Sequence, residues 1–139
     1  MKKFQILNLA IVLFLICSCS SNEDNDETIS NQLIGEWEAV DECLNDTCWG
    51  LGVTYDYLTF NSNGTVVEGR DNPNNNLTLS YTIDNDEMTM TQDEGNGSTY
   101  TTYCSIIKLT ATELVFKAYA DDDGNFTDIE TYYFVKTDN

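Results

Sequence analysis
From residue 35 onward the chain is written in short runs of alternating apolar and polar residues. The clearest run is Leu77–Ile83: Leu77, Leu79, Tyr81 and Ile83 fall on one face, and Thr78, Ser80 and Thr82 on the other. A period of two is the signature of a strand with one face on a core. Glu113–Ala120 repeats it, with Leu114, Phe116, Ala118 and Ala120 on the inner face, and Glu87–Gln92 sets Met88 and Met90 against threonines. Further strands are expected at about Gly35–Val40, Val53–Phe60, Thr65–Gly69, Ser98–Leu109 and Thr127–Lys136. Turn chemistry separates them: Asn61-Ser62-Asn63-Gly64, Asp84-Asn85-Asp86, and the Asp121–Asn125 segment suit tight reversals with positive φ. Thr28–Ile34 has the spacing for one helical turn, with Ile29, Leu33 and Ile34 as its apolar contacts.

Eight strands with short connections and no long helix predict an all-β fold, an antiparallel up-and-down meander. Closing it into a barrel removes the two exposed edges such a sheet would otherwise present. The barrel domain is expected to span residues 29–139.

Upstream of it the pattern is different. Met1-Lys2-Lys3 is a basic start, and Phe4–Ile16 is an apolar run of about 13 residues, the length of a signal-peptide core and short for a membrane span. Ile16-Cys17-Ser18-Cys19 resembles a bacterial lipoprotein processing site, with an aliphatic residue at −3, a small residue at −1 and then the acylated cysteine. The resemblance implies a signal peptide over 1–18 and a palmitate-type acyl anchor on Cys19. Ser20 at the next position is not the aspartate of inner-membrane retention, so the outer membrane is the expected address. Residues 19–28 form an acidic linker. Ser20–Glu27 carries four acids and no apolar side chain, so it should stay solvated, reaching about 25–30 Å at most. An acidic stretch just after the lipidated cysteine also resembles the export signal of surface-exposed lipoproteins, which leaves periplasmic and cell-surface placement both open.

The barrel resembles the small lipocalin-like lipoproteins of Gram-negative bacteria. Leu33-Ile34-Gly35-Glu36-Trp37 is similar to the lipocalin Gly-x-Trp signature, and it is followed in order by Leu58–Val66, Tyr81-Thr82-Ile83, Lys108–Phe116 and Tyr132–Lys136. The resemblance implies a calycin-like barrel, a cation near the C-terminus stacked on the signature tryptophan (Lys136 over Trp37), and a small apolar or amphipathic ligand bound without catalysis. The sequence departs from the large lipocalins in being short, and no C-terminal helix is expected, so a roomy internal cavity is not expected either.

Charge narrows the partners. The chain has 24 acidic and 6 basic residues and a formal charge of −18. Binding of nucleic acid or of an anionic surface needs a basic patch, which this composition does not supply. The chain has no histidine, so it lacks the commonest general base and metal ligand. No nucleophile–base pair stands out, and neither an enzyme, a metal nor a cofactor is expected. Asp121-Asp122-Asp123-Gly124 with Glu130 partly resembles a calcium loop, but Tyr119 would take the first ligand position, so a solvated hairpin is expected.

Cys43, Cys48 and Cys104 remain after processing, and an exported protein is expected to form a disulfide among them. All three pairings are open, and one that includes Cys104 is expected, because tying the loop after the first strand to mid-strand is the most constraining. The inward-facing ligand candidates are Trp37, Tyr55, Tyr57, Tyr81, Met88, Met90, Phe116 and Tyr133, with Ile107 and Leu114 beside them. The same side chains could instead fill a narrow barrel. A filled barrel would act through its surface or loops, with Trp49 in the Cys43–Gly52 loop as the contact to a protein partner of unknown identity.

Overall fold
The computed structural model describes residues 29–48, 50, 56–69, 73–120 and 129–137. The signal peptide, Cys19, the acidic linker, Trp49, Tyr55 and the Asp121–Asn125 segment lie outside the described residues.

Among the described residues nine strands form one antiparallel sheet: β1 Gly35–Leu44, β2 Thr47–Cys48, β3 Tyr57–Phe60, β4 Thr65–Gly69, β5 Leu77–Asp84, β6 Glu87–Asp93, β7 Thr99–Leu109, β8 Glu113–Ala120 and β9 Glu130–Lys136. Each strand from β3 to β9 pairs with the next, and β1 pairs with both β3 and β9. The meander therefore closes into an eight-stranded barrel, and β2 is a two-residue addition folded back on the end of β1. Closure leaves the long β7–β8 and β1–β9 ladders without a free edge. One helical turn at residues 29–33 precedes β1, as the apolar spacing of Ile29 and Leu33 predicts. A 3-10 turn, Pro73–Asn75, lies between β4 and β5.

The core is the barrel's interior. Trp37, Leu58, Phe60, Val66, Met88, Met90, Leu114 and Phe116 are each at most 1% exposed. Rings interlock within it: Phe116 stacks on Phe134 at 5.5 Å and lies 5.4 Å from Tyr132, and Phe60 meets Tyr81 edge-on at 5.2 Å. Such pairs add roughly 0.5–1.5 kcal/mol each to the area they bury.

Two bulges reset which residues point inward. In β1 the ladder with β9 slips between Ala39 and Asp41, leaving Val40 as an extra residue, 40% exposed. Ala39 faces inward, and after the slip Glu42 does so, opposite Tyr132. In β7 the register slips between Ile106 and Lys108. Ile106 is buried, Ile107 is 57% exposed, and Leu109 packs against the core. The expectation that Ile107 points inward is thus corrected: it is the bulged residue, and the extra position throws it outside.

Candidate functional site
The end of the barrel where β1 starts is sealed. Leu33, fully buried on the helical turn, lies under the barrel, and its carbonyl accepts a 2.7 Å hydrogen bond from Trp37 Nε1. Lys136 Nζ sits 4.9 Å from the Trp37 ring centroid and donates to the Gln32 carbonyl at 3.1 Å. Gly35 permits this approach. Its φ is +129°, and a Cβ there would stand 2.8 Å from Lys136 Cε. The Gly-x-Trp motif and the C-terminal lysine are therefore one device, with the glycine opening the space that the lysine crosses to reach the tryptophan. Thr137 adds a backbone bond to the Glu36 carbonyl at 3.0 Å.

The opposite end holds the finish of β1, β4, β6 and β8 and the start of β3, β5, β7 and β9. Its inner wall is polar, where the sealed end is apolar. Glu42 on β1 is 5% exposed and Glu68 on β4 is 8% exposed. The register places both carboxylates inside: Glu42 lies opposite Tyr132, and Glu68 opposite Leu58, each a core residue. Thr102 is buried beside Met90 on the neighbouring strand, and the Tyr132 hydroxyl is hydrogen-bonded to Glu130. Buried carboxylates persist only with hydrogen-bonding or charged partners, and Glu42 and Glu68 each have an interaction within the protein. Burial, with Glu68 and then Glu87 adding negative charge nearby, pushes the Cys104 thiol up to about 12.

The candidate ligand residues divide into three groups. Trp37, Tyr81, Met88, Met90 and Phe116 are buried in the interior. Tyr57 and Tyr133 are not on the inner face, which corrects their expected direction. Tyr57 pairs with Gly69 on the outer face, its ring covering that glycine and its hydroxyl accepting from Asn76 Nδ2 at 2.8 Å. In β9 it is Tyr132 and Phe134 that point inward, so half-buried Tyr133 faces out. Tyr55 is outside the described residues. Glu42 and Glu68 were missed. Val40's bulge hid Glu42 by breaking the alternation, but Glu68 follows Val66 at a spacing of two and its inward position was readable.

The disulfide joins Cys43 to Cys48. The two stand directly opposite one another in the β1–β2 hairpin, and Asn45 and Asp46 turn it with positive φ of 47° and 66°. The expected bond to Cys104 is corrected: Cys104 is a free, buried thiol. Cys43 faces β2 outside the core, whereas Cys104 points into it, so the barrel wall lies between them. An Asp41 carboxylate oxygen lies within 4.8 Å of both sulfurs. A disulfide has no thiolate to offer a metal, and the Asp41 oxygen instead accepts from the Glu42 and Gly50 amides at 2.9 Å.

A family model for the lipocalin-like domain matches residues 33–116, more than half of the chain, and the chain belongs to that family. No curated protein matches it. Among solved structures it is similar to bovine odorant-binding protein in complex with its natural ligand, at 22% identity and a TM-score of 0.48, covering 78% of this chain and 73% of that one. A deswapped triple mutant of the same bovine protein is similar at 21% identity and a TM-score of 0.47, covering 78% of this chain and 76% of that one.

Proposed function
We propose that this domain is a non-catalytic carrier of a small, partly apolar ligand, held at the end of the barrel opposite the 29–33 turn. The observation that carries this reading is the difference between the two ends. Trp37, Leu33 and Lys136 seal one, and Met88, Met90 and Phe116 fill the middle. With one end closed and the middle filled, this reading assigns the guest to the polar end and requires it to be compact. Apolar area that it buries contributes about 25 cal/mol per Å², and the wall's polar groups orient it.

The carrier is proposed to be an outer-membrane lipoprotein, cleaved before Cys19 and acylated there. The lipoprotein-like Ile16–Cys19 sequence supports this. Production of the full chain in a Gram-negative host tests both halves. Native mass spectrometry of the membrane-extracted protein should show an acylated chain beginning at Cys19 and an adduct of small mass that is lost on denaturation. Cys19→Ser should release the protein from the membrane. A Cys19→Ser chain that stays in the outer membrane would refute the anchor, and a bare protein unchanged by a panel of small amphiphiles would refute the carrier.

A filled barrel acting through its surface is the second reading. The outward side chains of Tyr103, Ile107 and Val135, 37–57% exposed, favour it. A bare protein in the same experiment would move the weight to that surface.

A further inference from the structure
We propose that the outer face of β7, β8 and β9 is the contact for a second copy of this chain, joined about a two-fold axis at Val115. This goes beyond the carrier reading and does not depend on it, because the barrel's interior takes no part.

Apolar exposure is gathered on one side of the barrel. Among the described residues the exposed large apolar side chains are Val40, Leu77, Tyr103, Ile107 and Val135. All but Leu77 stand on β1, β7 or β9, and β7, β8, β9 and β1 are successive neighbours in the sheet. Val115 and Tyr133, paired across β8 and β9 on the same outer side, are half-buried and lie between them. Single exposed apolar residues are ordinary, whereas a group on adjacent strands marks a contact surface.

Charge names the occupant. In a chain of formal charge −18, β7, β8 and β9 carry three lysines, Lys108, Lys117 and Lys136, against two glutamates, Glu113 and Glu130. The adjoining β1 carries Glu36, Glu38, Asp41 and Glu42 and no base. Two such chains repel over most of their surface and meet closely only where acids are sparse. A cationic partner would be drawn to the acidic surface instead. An apolar face with few acids therefore suits a partner that is itself strongly acidic.

β8 supplies the self-complementarity that a two-fold contact needs. Leu114, Phe116 and Ala118 are buried inside, so its outward residues run Glu113, Val115, Lys117. A two-fold axis through Val115 sets the two β8 strands antiparallel and valine against valine. It also brings Lys117 of each copy to Glu113 of the other, with each pair ~6–7 Å along the strand from the axis. Lys117 has no ion-pair partner among the described residues. Glu113 is paired with Lys108 at 2.7 Å through one carboxylate oxygen, and its other oxygen is left for the second lysine. Sheets packed face to face keep their strands within about 30° of one another, which an antiparallel β8 pair satisfies.

Sedimentation equilibrium of the full chain carrying Cys19→Ser tests this in solution, without the proposed acyl group. A reversible monomer–dimer equilibrium should appear below about 1 mM protein. Ile107→Asp should weaken the dimer about tenfold or more, and Leu77→Asp, exposed on β5 outside the face, should leave it unchanged. Glu113→Lys and Lys117→Glu should each weaken it about tenfold or more. The two together exchange the charges and should restore it, a rescue that no general change in net charge produces. All these side chains point outward, so the barrel should stay folded, which urea denaturation of each variant checks. A monomer at every concentration overturns the proposal and leaves the carrier reading standing. A monomer that sediments with phosphatidylethanolamine vesicles, and is released from them by Ile107→Asp, overturns it too and gives the face to lipid. A dimer that tolerates Ile107→Asp and both charge reversals, or one that the paired exchange fails to restore, overturns this face and this axis.

Discussion

Lys136 spans the signature motif: its ammonium lies 4.9 Å from the centre of the Trp37 ring, and its stem crosses the bare face of Gly35. The two motif residues and a lysine about a hundred positions later thus share one contact, and their energetics should be coupled. Trp37→Ala, which empties a fully buried site, should cost about 3–5 kcal/mol. Lys136→Met keeps the apolar stem and should cost about 0.5–2 kcal/mol. Gly35→Ala forces an alanine into φ +129° against Lys136 Cε and should cost about 1–3 kcal/mol. Urea denaturation reads all three. Because part of the Gly35→Ala penalty is the collision with the lysine, it should shrink in a Lys136→Ala background. Strict additivity would show that Gly35 serves only its own backbone.

The Cys43–Cys48 bond closes a short loop, with a sequence separation of 5. On the chain-entropy account such a loop contributes about 2 kcal/mol. Cys48→Ser should lower stability by that order and leave the barrel intact, because β1 keeps its ladder to β9 and Asn45 keeps its backbone bond to the Ile129 carbonyl at 3.1 Å. Peptide mapping under non-reducing conditions should recover Cys43 and Cys48 linked and Cys104 free. A linked peptide containing Cys104 would refute the pairing.

The barrel was legible because its strands keep strict alternation where nothing interrupts them: β4, β5 and β8 fall where the period of two puts them. The Lys136–Trp37 contact was legible through the resemblance to the lipocalins, which implies a cation near the C-terminus stacked on the signature tryptophan. Alternation fails at the bulges, which no local residue announces. Val40 hid the extension of β1 to Leu44, and with it Glu42. Ile107 drew the expectation that its apolar side chain belongs inside. Tyr57 and Tyr133 misled for a different reason. A half-buried tyrosine on the outer face of a barrel has the same sequence signature as one within it, and only the register tells them apart. The disulfide was open to three pairings because distance across a barrel wall is not written in spacing.

Cys104 makes folding sensitive to alkali. Its thiol is held at about 12 in the fold against an ordinary 9.0, first because burial disfavours the thiolate and then because Glu68 and Glu87 lie near. The raised value fixes the sign. Below pH 9 both folded and unfolded chains hold the proton, and the stabilising difference is complete. Between about 9 and 12 the unfolded chain releases the proton and the folded one keeps it, so stability falls by about 1.4 kcal/mol per pH unit from this group. Cys104→Ala should lessen the alkaline decline relative to the parent chain. Iodoacetamide should modify Cys104 at pH 8.5 only at the rate of unfolding. Fast modification of the native protein, or identical alkaline slopes in the two chains, would refute this account.

Tyr57 and Gly69 make a matched pair on the outside of the barrel. They stand opposite one another on β3 and β4, and a Cβ on Gly69 would fall 1.8 Å from the Tyr57 ring. The tyrosine lies flat over the glycine, and Asn76 holds its hydroxyl at 2.8 Å. An aromatic ring over a strand glycine restores the cross-strand contact that the missing side chain cannot make. Gly69→Ala must push the ring away and break the bond to Asn76, at about 1–3 kcal/mol. Tyr57→Ala removes the ring first, so Gly69→Ala in that background should be near neutral or favourable, since alanine suits a strand better than glycine. The cycle also settles direction by ligand binding. An outward Tyr57 leaves the affinity of any barrel ligand unchanged when replaced, while an inward one would lower it. Equal costs of Gly69→Ala in the two backgrounds, together with lost ligand affinity in Tyr57→Ala, would turn the tyrosine back toward the interior.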